Sequence, residues 1–231
     1  MKIVIATIKK WNIENAYTFK EKNQTGHEII ICSSPNEFAD VNLQEFQPDY
    51  IFFPHWSYLI PNNIVKKYKC IIFHMTDLPY GRGGSPLQNL IVRGHSSTKI
   101  SALRATEELD AGPVYMKENL SLEGTAQEIY ERASKIIFEE MIPKFMKNNL
   151  HYSEQTGEIV IFNRRRPEDG MLMSEMELSQ LYDYIRMLDA EGYPRAYMEF
   201  GDYRLEFEDA KLLDSNEKLE AKVIFKRNIK E

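Results

Sequence analysis

Short apolar runs alternate with helical patterns through the first third of the chain. The runs are rich in Val, Ile and Phe, and they span residues 2–7, 28–34, 49–56 and 70–75. Continuous apolar strands are typical of a sheet that is buried on both faces. The stretches around 13–23 and 62–69 have helical patterns instead. Alternating strands and helices predict an α/β fold with a Rossmann-like parallel sheet and right-handed crossovers.

The sequence pattern changes near residue 150. Before it, a strand pattern at 98–106 precedes a long amphipathic helix, which a capping box from Thr125 to Glu128 opens. After it, strand patterns dominate again, at 158–164, 196–213 and 217–228, with a helix that Ser174 and Glu177 are expected to cap. We therefore predict an α/β domain over 1–150 and a small β-rich subdomain over 151–231.

Composition limits the function classes that fit. The 231 residues are 43% hydrophobic, enough for a buried core, and they carry a net charge of −6. An acidic chain argues against a nucleic-acid partner, because phosphate binding needs clustered Lys and Arg. Cys32 and Cys70 lie in apolar runs and are expected to be reduced. The sequence contains neither a secretory signal pattern nor an apolar run of membrane-spanning length, so we expect a cytoplasmic protein without membrane contact.

A loop rich in glycine and proline follows the fourth strand, in the sequence FHMTDLPYGRGGSPLQNLI from Phe73 to Ile91. His74 lies at the predicted end of that strand, where parallel sheets bind their ligands. Asp110 follows the next strand, and the same geometry would bring it near His74. A carboxylate beside an imidazole can hold it charged or take a proton from a nucleophile. The alternatives are a structural histidine and a turn aspartate before Gly112.

Other site chemistries lack their sequence patterns. No dinucleotide GxGxxG or phosphate-binding P-loop is present, and the histidines and cysteines show no metal-ligand spacing. We therefore predict no metal site. The run Arg164 to Arg166 fits a phosphate contact or a surface cluster paired with the acidic residues after it.

The motifs around His74 and Asp110 together resemble the folate-dependent formyltransferases, and most closely the nucleotide-sugar N-formyltransferases. The residues that carry the resemblance are His74, Thr76, Leu78, Pro79, Arg82, Gly83, Pro86, Leu109, Asp110 and Gly112. The resemblance covers residues 1–150 well and the tail more weakly. It implies transfer of a formyl group from N10-formyltetrahydrofolate to a primary amine. In that family, the residue matching His74 stabilises the oxyanion, and the residue matching Asp110 assists proton movement.

The resemblance also implies where the substrates bind. Folate is expected at two loops, formed by Trp56, Ser57, Tyr58, Leu59 and Ile60 and by Thr106, Glu107, Glu108 and Leu109. The acceptor is expected at Tyr80, Arg82, Gly83 and Gln88. For Trp56 and Tyr58, aromatic core packing is an equal alternative.

One position departs from the family pattern. The family has asparagine two residues before the histidine, and this chain has Ile72. Isoleucine cannot donate a hydrogen bond, and loss of one oxyanion donor costs on the order of 100- to 1000-fold in rate. Thr76, Asn89 and the backbone amides of the glycine loop are the candidate replacements.

We predict the acceptor by exclusion. Residues 151–231 contain 18 acidic and 12 basic residues, which is the wrong sign for RNA binding. The expected acceptor is a nucleotide-linked 4-amino-4,6-dideoxy sugar, with a UDP-sugar of a pseudaminic-acid-type pathway favoured. The alternatives are a catalytically inactive relative that binds folate or a nucleotide sugar, and a methionyl-tRNA formyltransferase. Exposed strands of the tail could pair between subunits, which makes a homodimer a candidate assembly.

Overall fold

The computed structural model describes residues 1–148, 150–213 and 217–227. The chain forms two compact units, and neither is continuous in sequence. The first comprises Met1–Gly83, Thr98–Leu120 and Glu131–Ile161, and the second comprises Gly84–Ser97, Ser121–Tyr130 and the described part of Phe162–Glu231. The predicted boundary near residue 150 therefore falls inside a segment of the first unit.

The strands and helices follow in chain order. The strands are β1 (Lys2–Ala6), β2 (Glu28–Cys32), β3 (Tyr50–Pro54), β4 (Cys70–His74), β5 (Tyr80–Gly83), β6 (Ser97–Arg104), β7 (Val114–Ser121), β8 (Val160–Phe162), β9 (Ala196–Phe200), β10 (Tyr203–Leu213) and β11 (Lys218–Arg227). The helices are α1 (Lys10–Asn23), α2 (Pro35–Asp40), α3 (Leu43–Phe46), α4 (Asn62–Lys67), α5 (Pro86–Ile91), α6 (Ala126–Ile136), α7 (Ile142–Lys147) and α8 (Leu178–Arg186). A π-helical segment, Ile137–Met141, joins α6 to α7, and Pro167–Gly170 forms a 3₁₀ turn.

The first unit is built on a six-stranded sheet of order β2-β1-β3-β4-β6-β7. Strands β1 to β4 are parallel, as the continuous apolar runs predict. β6 is antiparallel to β4, with Ser101 opposite His74 and Arg104 opposite Ile71. The α/β architecture with a parallel-dominated sheet is thus confirmed, and the reversed strand was not foreseen from sequence.

An aromatic cluster fills the centre of the first unit. All five residues of β3 are buried. The Phe52 ring lies 5.4 Å from Phe145 and 5.5 Å from Tyr50. β4 pairs with β3 within this buried sheet and ends at His74, which is also buried.

The second unit contains a three-stranded antiparallel sheet of order β11-β10-β9. The predicted turn at Gly201 and Asp202 joins β9 to β10. The helix expected to start at Ser174 begins later, at Leu178, where the Glu177 amide donates to Gln180 Oε1 at 2.9 Å. Salt bridges join the strands, for example Glu206 to Lys226 at 2.7 Å.

No helix among the described residues is both long enough and apolar enough to cross a membrane. Cys32 and Cys70 are free and buried. Burial raises the pKa of the Cys32 thiol to about 11 and that of Cys70 to about 12. Both thiols therefore stay protonated and unreactive near neutral pH.

Candidate active site

His74 is the last residue of β4, and only 7% of its surface is exposed. Its Nε2 lies 2.7 Å from the carbonyl oxygen of Gly81. A carbonyl oxygen can only accept a hydrogen bond, so Nε2 carries the hydrogen in this arrangement. The Thr76 hydroxyl, fully buried, donates to the same oxygen at 3.3 Å. The glycine loop thus folds back onto the end of β4 and fixes the imidazole.

Asp110 lies beside His74, with its Oδ2 3.6 Å from the histidine Nδ1. The two groups form an ion pair when the histidine is protonated. The same carboxylate oxygen accepts a hydrogen bond from the Gly83 amide at 2.9 Å. Asp110 is buried and adopts a left-handed backbone conformation, with φ of 53°. Such a conformation is costly for a residue with a side chain, so the surrounding structure must impose it.

Asp110 does not reach His74 by the route that the parallel-sheet argument assumed. Because β6 is antiparallel to β4, the carboxyl end of β6 lies beside the amino end of β4, away from His74. The loop 105–113 folds back to carry the carboxylate to the histidine. Gly112 sits so close to β6 that an added Cβ would lie 1.8 Å from the Arg104 carbonyl oxygen. The loop therefore requires glycine at this position.

Gln155 lies against this loop, and no sequence pattern pointed to it. Its Nε2 donates to the carbonyl oxygens of Asp110 at 2.8 Å and Gly112 at 2.7 Å. Its Oε1 accepts from Arg82, at 3.1 Å from Nε and 2.9 Å from Nη2. Arg82, predicted to bind the acceptor, thus contacts Gln155, and it also approaches Glu108 at 3.4 Å.

The first turn of the glycine loop is tied to β6 and β7. Ser101 Oγ donates to the Thr76 carbonyl at 2.7 Å and accepts from the Leu78 amide at 3.3 Å. Asp77 is paired with Lys99 at 3.0 Å and with Lys117 at 2.5 Å. Burial alone would raise the pKa of Asp77, but the hydrogen bonds from the two lysines outweigh it and lower the pKa.

A second histidine stands at a strand end. His55 directly follows β3, has a left-handed φ of 52°, and packs edge-on against Trp11 at 5.9 Å. Burial, with a smaller contribution from the Lys9 charge, lowers the pKa of His55 to about 4. It is therefore neutral near pH 7.

Within the described ranges, no group of three or more His, Cys, Asp or Glu is placed to hold a metal ion.

The two predicted folate loops flank one hydrophobic cluster of the first unit. Ala105 belongs to that cluster, and Trp56 and Ile60 pack against it. Tyr58, Leu59 and Leu109 are apolar or aromatic side chains with 51%, 90% and 60% of their surface exposed. Ser57, Thr106, Glu107 and Glu108 are exposed as well. Exposed apolar side chains around a buried cluster are typical of a surface that binds a ligand or a partner, and the assignment of this surface to folate stays a prediction.

The remaining predicted site residues differ in placement. Gln88 is buried in the second unit, where its amide donates to the Tyr130 hydroxyl and the Met187 carbonyl, both at 3.0 Å. The Asn89 amide donates to the carbonyls of Gly84, Ser85 and Asn163. These contacts occupy both side-chain amides within that unit. Tyr80 is half-buried at the start of β5.

Ile72 occupies the position where the family pattern has asparagine. It lies on β4, and its side chain packs against the cluster of Leu78, Leu103 and Val114. These neighbours are apolar, so the position serves packing here rather than hydrogen bonding.

Two family models match the chain. The model described as "Formyl transferase" matches residues 8–143, and the model described as "Methionyl-tRNA formyltransferase, C-terminal domain" matches residues 167–226. The first match contains His74, Asp110 and the glycine loop, and it ends before Gln155.

Solved and curated relatives extend this comparison. A structure titled methionyl-tRNA formyltransferase from Clostridium thermocellum is 47% identical, covers 98% of this chain and 99% of its own, and superposes with a TM-score of 0.95. The methionyl-tRNA formyltransferase of Thermodesulfovibrio yellowstonii is 25% identical over 81% of this chain, but the match covers only 64% of that relative. A 4-N formyltransferase from Francisella tularensis is 17% identical over 87% of this chain and 93% of its own, with a TM-score of 0.67. At that identity the likeness shows the fold alone.

These comparisons correct the predicted acceptor. The prediction of a nucleotide-sugar substrate is wrong, because the relative at 47% identity is named for methionyl-tRNA, while the sugar-type neighbour is distant. The exclusion of nucleic acid is wrong for the same reason. It rested on the net charge of the whole chain and of residues 151–231, and a net charge does not tell where the individual charges lie.

Proposed function

Since the chain belongs to the formyl transferase family, we propose that it transfers a formyl group from formyltetrahydrofolate to the amino group of methionyl-tRNA. The observation that carries this proposal is the 47% identity to a structure of that name across nearly the whole of both chains. The exposed apolar loops around Trp56 and Leu109 support a folate site, and the folate would supply the formyl group.

The contacts of Asp110 suit proton transfer. An amine that attacks a formyl carbon must lose a proton, and a negative charge develops on the formyl oxygen at the same time. Asp110 is a buried carboxylate beside an imidazole, oriented by the Gly83 amide. We assign it two roles, which are to orient His74 and to accept the proton that the amine releases.

His74 is the side chain that we assign to the developing oxyanion. Its Nε2 hydrogen now points to the Gly81 carbonyl, and its Nδ1 faces Asp110. The formyl oxygen must therefore displace the Gly81 carbonyl as the acceptor, which requires a small movement of the glycine loop when substrate binds. Catalytic hydrogen bonds commonly tighten only when substrate binds.

The missing asparagine increases the dependence on His74. Asn89 is committed to three backbone carbonyls, and the Gly83 amide is committed to Asp110. Thr76 shares the Gly81 carbonyl with His74, so the same loop movement would free its hydroxyl as a second donor. We therefore propose His74 as the main donor and Thr76 as its support.

A turnover assay tests the function. The protein would be mixed with formyltetrahydrofolate and methionyl-tRNA, and release of tetrahydrofolate would be followed together with formylation of the methionine. We expect turnover, and a KM for the tRNA that rises with salt, as for RNA ligands generally. His74→Ala should lower kcat by about 100- to 10,000-fold.

His27→Ala is the matched control, because His27 lies near the amino terminus and contacts the terminal amine. It should leave turnover unchanged. If the wild-type protein binds folate but does not formylate methionyl-tRNA, the proposal fails in favour of a non-catalytic relative. Ile72 would then explain the lack of activity, because its side chain cannot donate a hydrogen bond to the oxyanion.

A further inference from the structure

We propose that Gln155 is a positioning residue of the formyl-transfer site, which acts by holding the loop that carries Asp110. This inference rests on the proposed function and adds a component from outside the segment that the formyl transferase model matches. In the polar stretch 151–159, Gln155 is the residue whose surface is partly buried, while its neighbours are exposed.

The orientation of the Gln155 amide is fixed by its partners. Arg82 offers only donors, so the oxygen Oε1 must face the guanidinium. The carbonyls of Asp110 and Gly112 offer only acceptors, so the nitrogen Nε2 must face them. One neutral amide thus satisfies four polar contacts between 2.7 and 3.1 Å, which no other side chain of similar length can do.

The two carbonyls belong to Asp110 itself and to Gly112, so both follow the residue that carries the carboxylate. Asp110 is held in a left-handed conformation, and its side chain reaches the Gly83 amide and the vicinity of His74. Since loop 105–113 returns from the far end of β6, local strand geometry does not place Asp110. The Gln155 amide supplies contacts that hold the peptide bonds after Asp110 and after Gly112, directly beyond the carboxylate.

The segment that carries Gln155 is itself anchored. The backbones of Ser153 and Val114 exchange hydrogen bonds at 2.8 and 3.0 Å. The Val160 amide approaches the Pro79 carbonyl at 3.4 Å. Gln155 therefore extends from a segment that is tied to β7 on one side and to the glycine loop on the other.

Two substitutions separate the two halves of the amide. Gln155→Ala removes all four contacts. Gln155→Glu keeps the shape and strengthens the contact with Arg82, but it turns a carboxylate oxygen toward two carbonyl oxygens. If the nitrogen side is what matters, both variants should lower kcat by about 10- to 100-fold, with little change in the KM for methionyl-tRNA.

Three readouts distinguish positioning from a merely structural role. Thermal melting should be close to wild type for Gln155→Glu. In an Asp110→Asn background, Gln155→Ala should lower kcat by less than about threefold, because both changes act through the Asp110 side chain. The NMR signal of the Gly83 amide, which donates to Asp110, should shift in both Gln155 variants toward its position in Asp110→Asn. Ser153→Ala, which alters an exposed side chain of the same segment, is the control and should resemble wild type.

The outcomes are distinct. Wild-type kcat in Gln155→Glu would assign the effect to Arg82 and overturn the proposal, as would an unshifted Gly83 signal or additive losses in the double variant. The Gly83 signal does not depend on the acceptor. If wild-type protein fails to formylate methionyl-tRNA while the Gly83 signal shifts as expected, the proposed function fails and the positioning role stands.

Discussion

The six-stranded sheet of the first unit and the three-stranded sheet of the second are stabilised by different interactions. In β3 every residue is buried, and Phe52 contacts other aromatic rings. In β11 most side chains are exposed, and Phe225 has 63% of its surface in solvent. The first sheet relies on buried apolar surface, whereas the second carries its polar residues in cross-strand ion pairs.

The ion pairs of the second sheet hold charges of both signs at fixed places on and beside its strands. Glu206 pairs with Lys226, and Glu199 pairs with Arg204. Glu208 lies between Arg195 and Lys222. Each pair removes one charge of either sign, so pairing leaves the net charge of 151–231 as it was. The net charge of 18 acidic and 12 basic residues is a poor guide to RNA binding for another reason, which is that it does not say where the unpaired basic side chains lie.

The largest expected contrast is between two phenylalanines. Phe52→Ala should lower the free energy of unfolding by about 3–5 kcal/mol, because it opens a cavity among Tyr50, Phe73 and Phe145. Phe225→Ala should change it by no more than about 0.5 kcal/mol, because the ring is mostly exposed. Urea denaturation of the two variants would measure both values. Similar losses would show that the two sheets do not differ in this way.

A smaller contrast is expected between two glycines. Gly112→Ala should cost about 3 kcal/mol, because the new Cβ would collide with the Arg104 carbonyl. Gly201→Ala, in the turn between β9 and β10, meets open space at a φ of +58°, so only the backbone strain of about 1 kcal/mol should appear. Denaturation again gives both costs, and the Gly112 variant should also lose turnover as loop 105–113 shifts. Equal costs would mean that the loop yields more easily than its contacts indicate.

The smallest expected effect is a loss of stability at low pH that comes from one ion-pair cluster of the second sheet. The hydrogen bond from Lys222 is the main reason that the pKa of Glu208 lies below its ordinary value of 4.5. A lowered pKa means that Glu208 stabilises the fold above about pH 4.5, and that this contribution disappears as the pH falls through the folded-state pKa. Melting curves should therefore show a smaller loss on acidification for Glu208→Gln than for wild type. Identical acid profiles would show that the Glu208 ion pairs contribute nothing measurable.

The sequence was most informative where apolar patterning alone decides the structure. The runs at 2–7, 49–56 and 70–75 became β1, β3 and β4, because a strand that is buried on both faces must be apolar throughout. The reversed direction of β6 could not be inferred, since an apolar run has no direction. The late start of α8 was not foreseen either, because the predicted capping box used Ser174 as the cap and Glu177 as its partner, whereas in the structure Glu177 is the cap and Gln180 is the partner.

At the candidate site, the sequence identified side chains but not backbone partners. Sequence motifs pointed to His74 and Asp110, and in the structure His74 Nδ1 lies 3.6 Å from Asp110 Oδ2. The Gly81 carbonyl and the Gly83 amide hold these side chains, and a backbone group leaves no mark in the sequence. Gln155 was missed because a glutamine in a polar stretch looks like any solvated linker residue. The clue would have been that the carbonyls of Asp110 and Gly112 need a hydrogen-bond donor. Only the folded structure shows that they do.

The return of the chain to the site after α7 has a practical consequence for modular exchange. Homology would suggest joining this catalytic segment to a foreign tail near residue 143, where the family match ends. A chimera joined there would retain His74 and Asp110 but discard Ser153, Gln155 and Val160, which anchor and brace the loops around them. The chain needed for these contacts extends to about Ile161, where the last segment of the first compact unit ends. Chimeras joined on either side of this segment should differ in activity even when both fold.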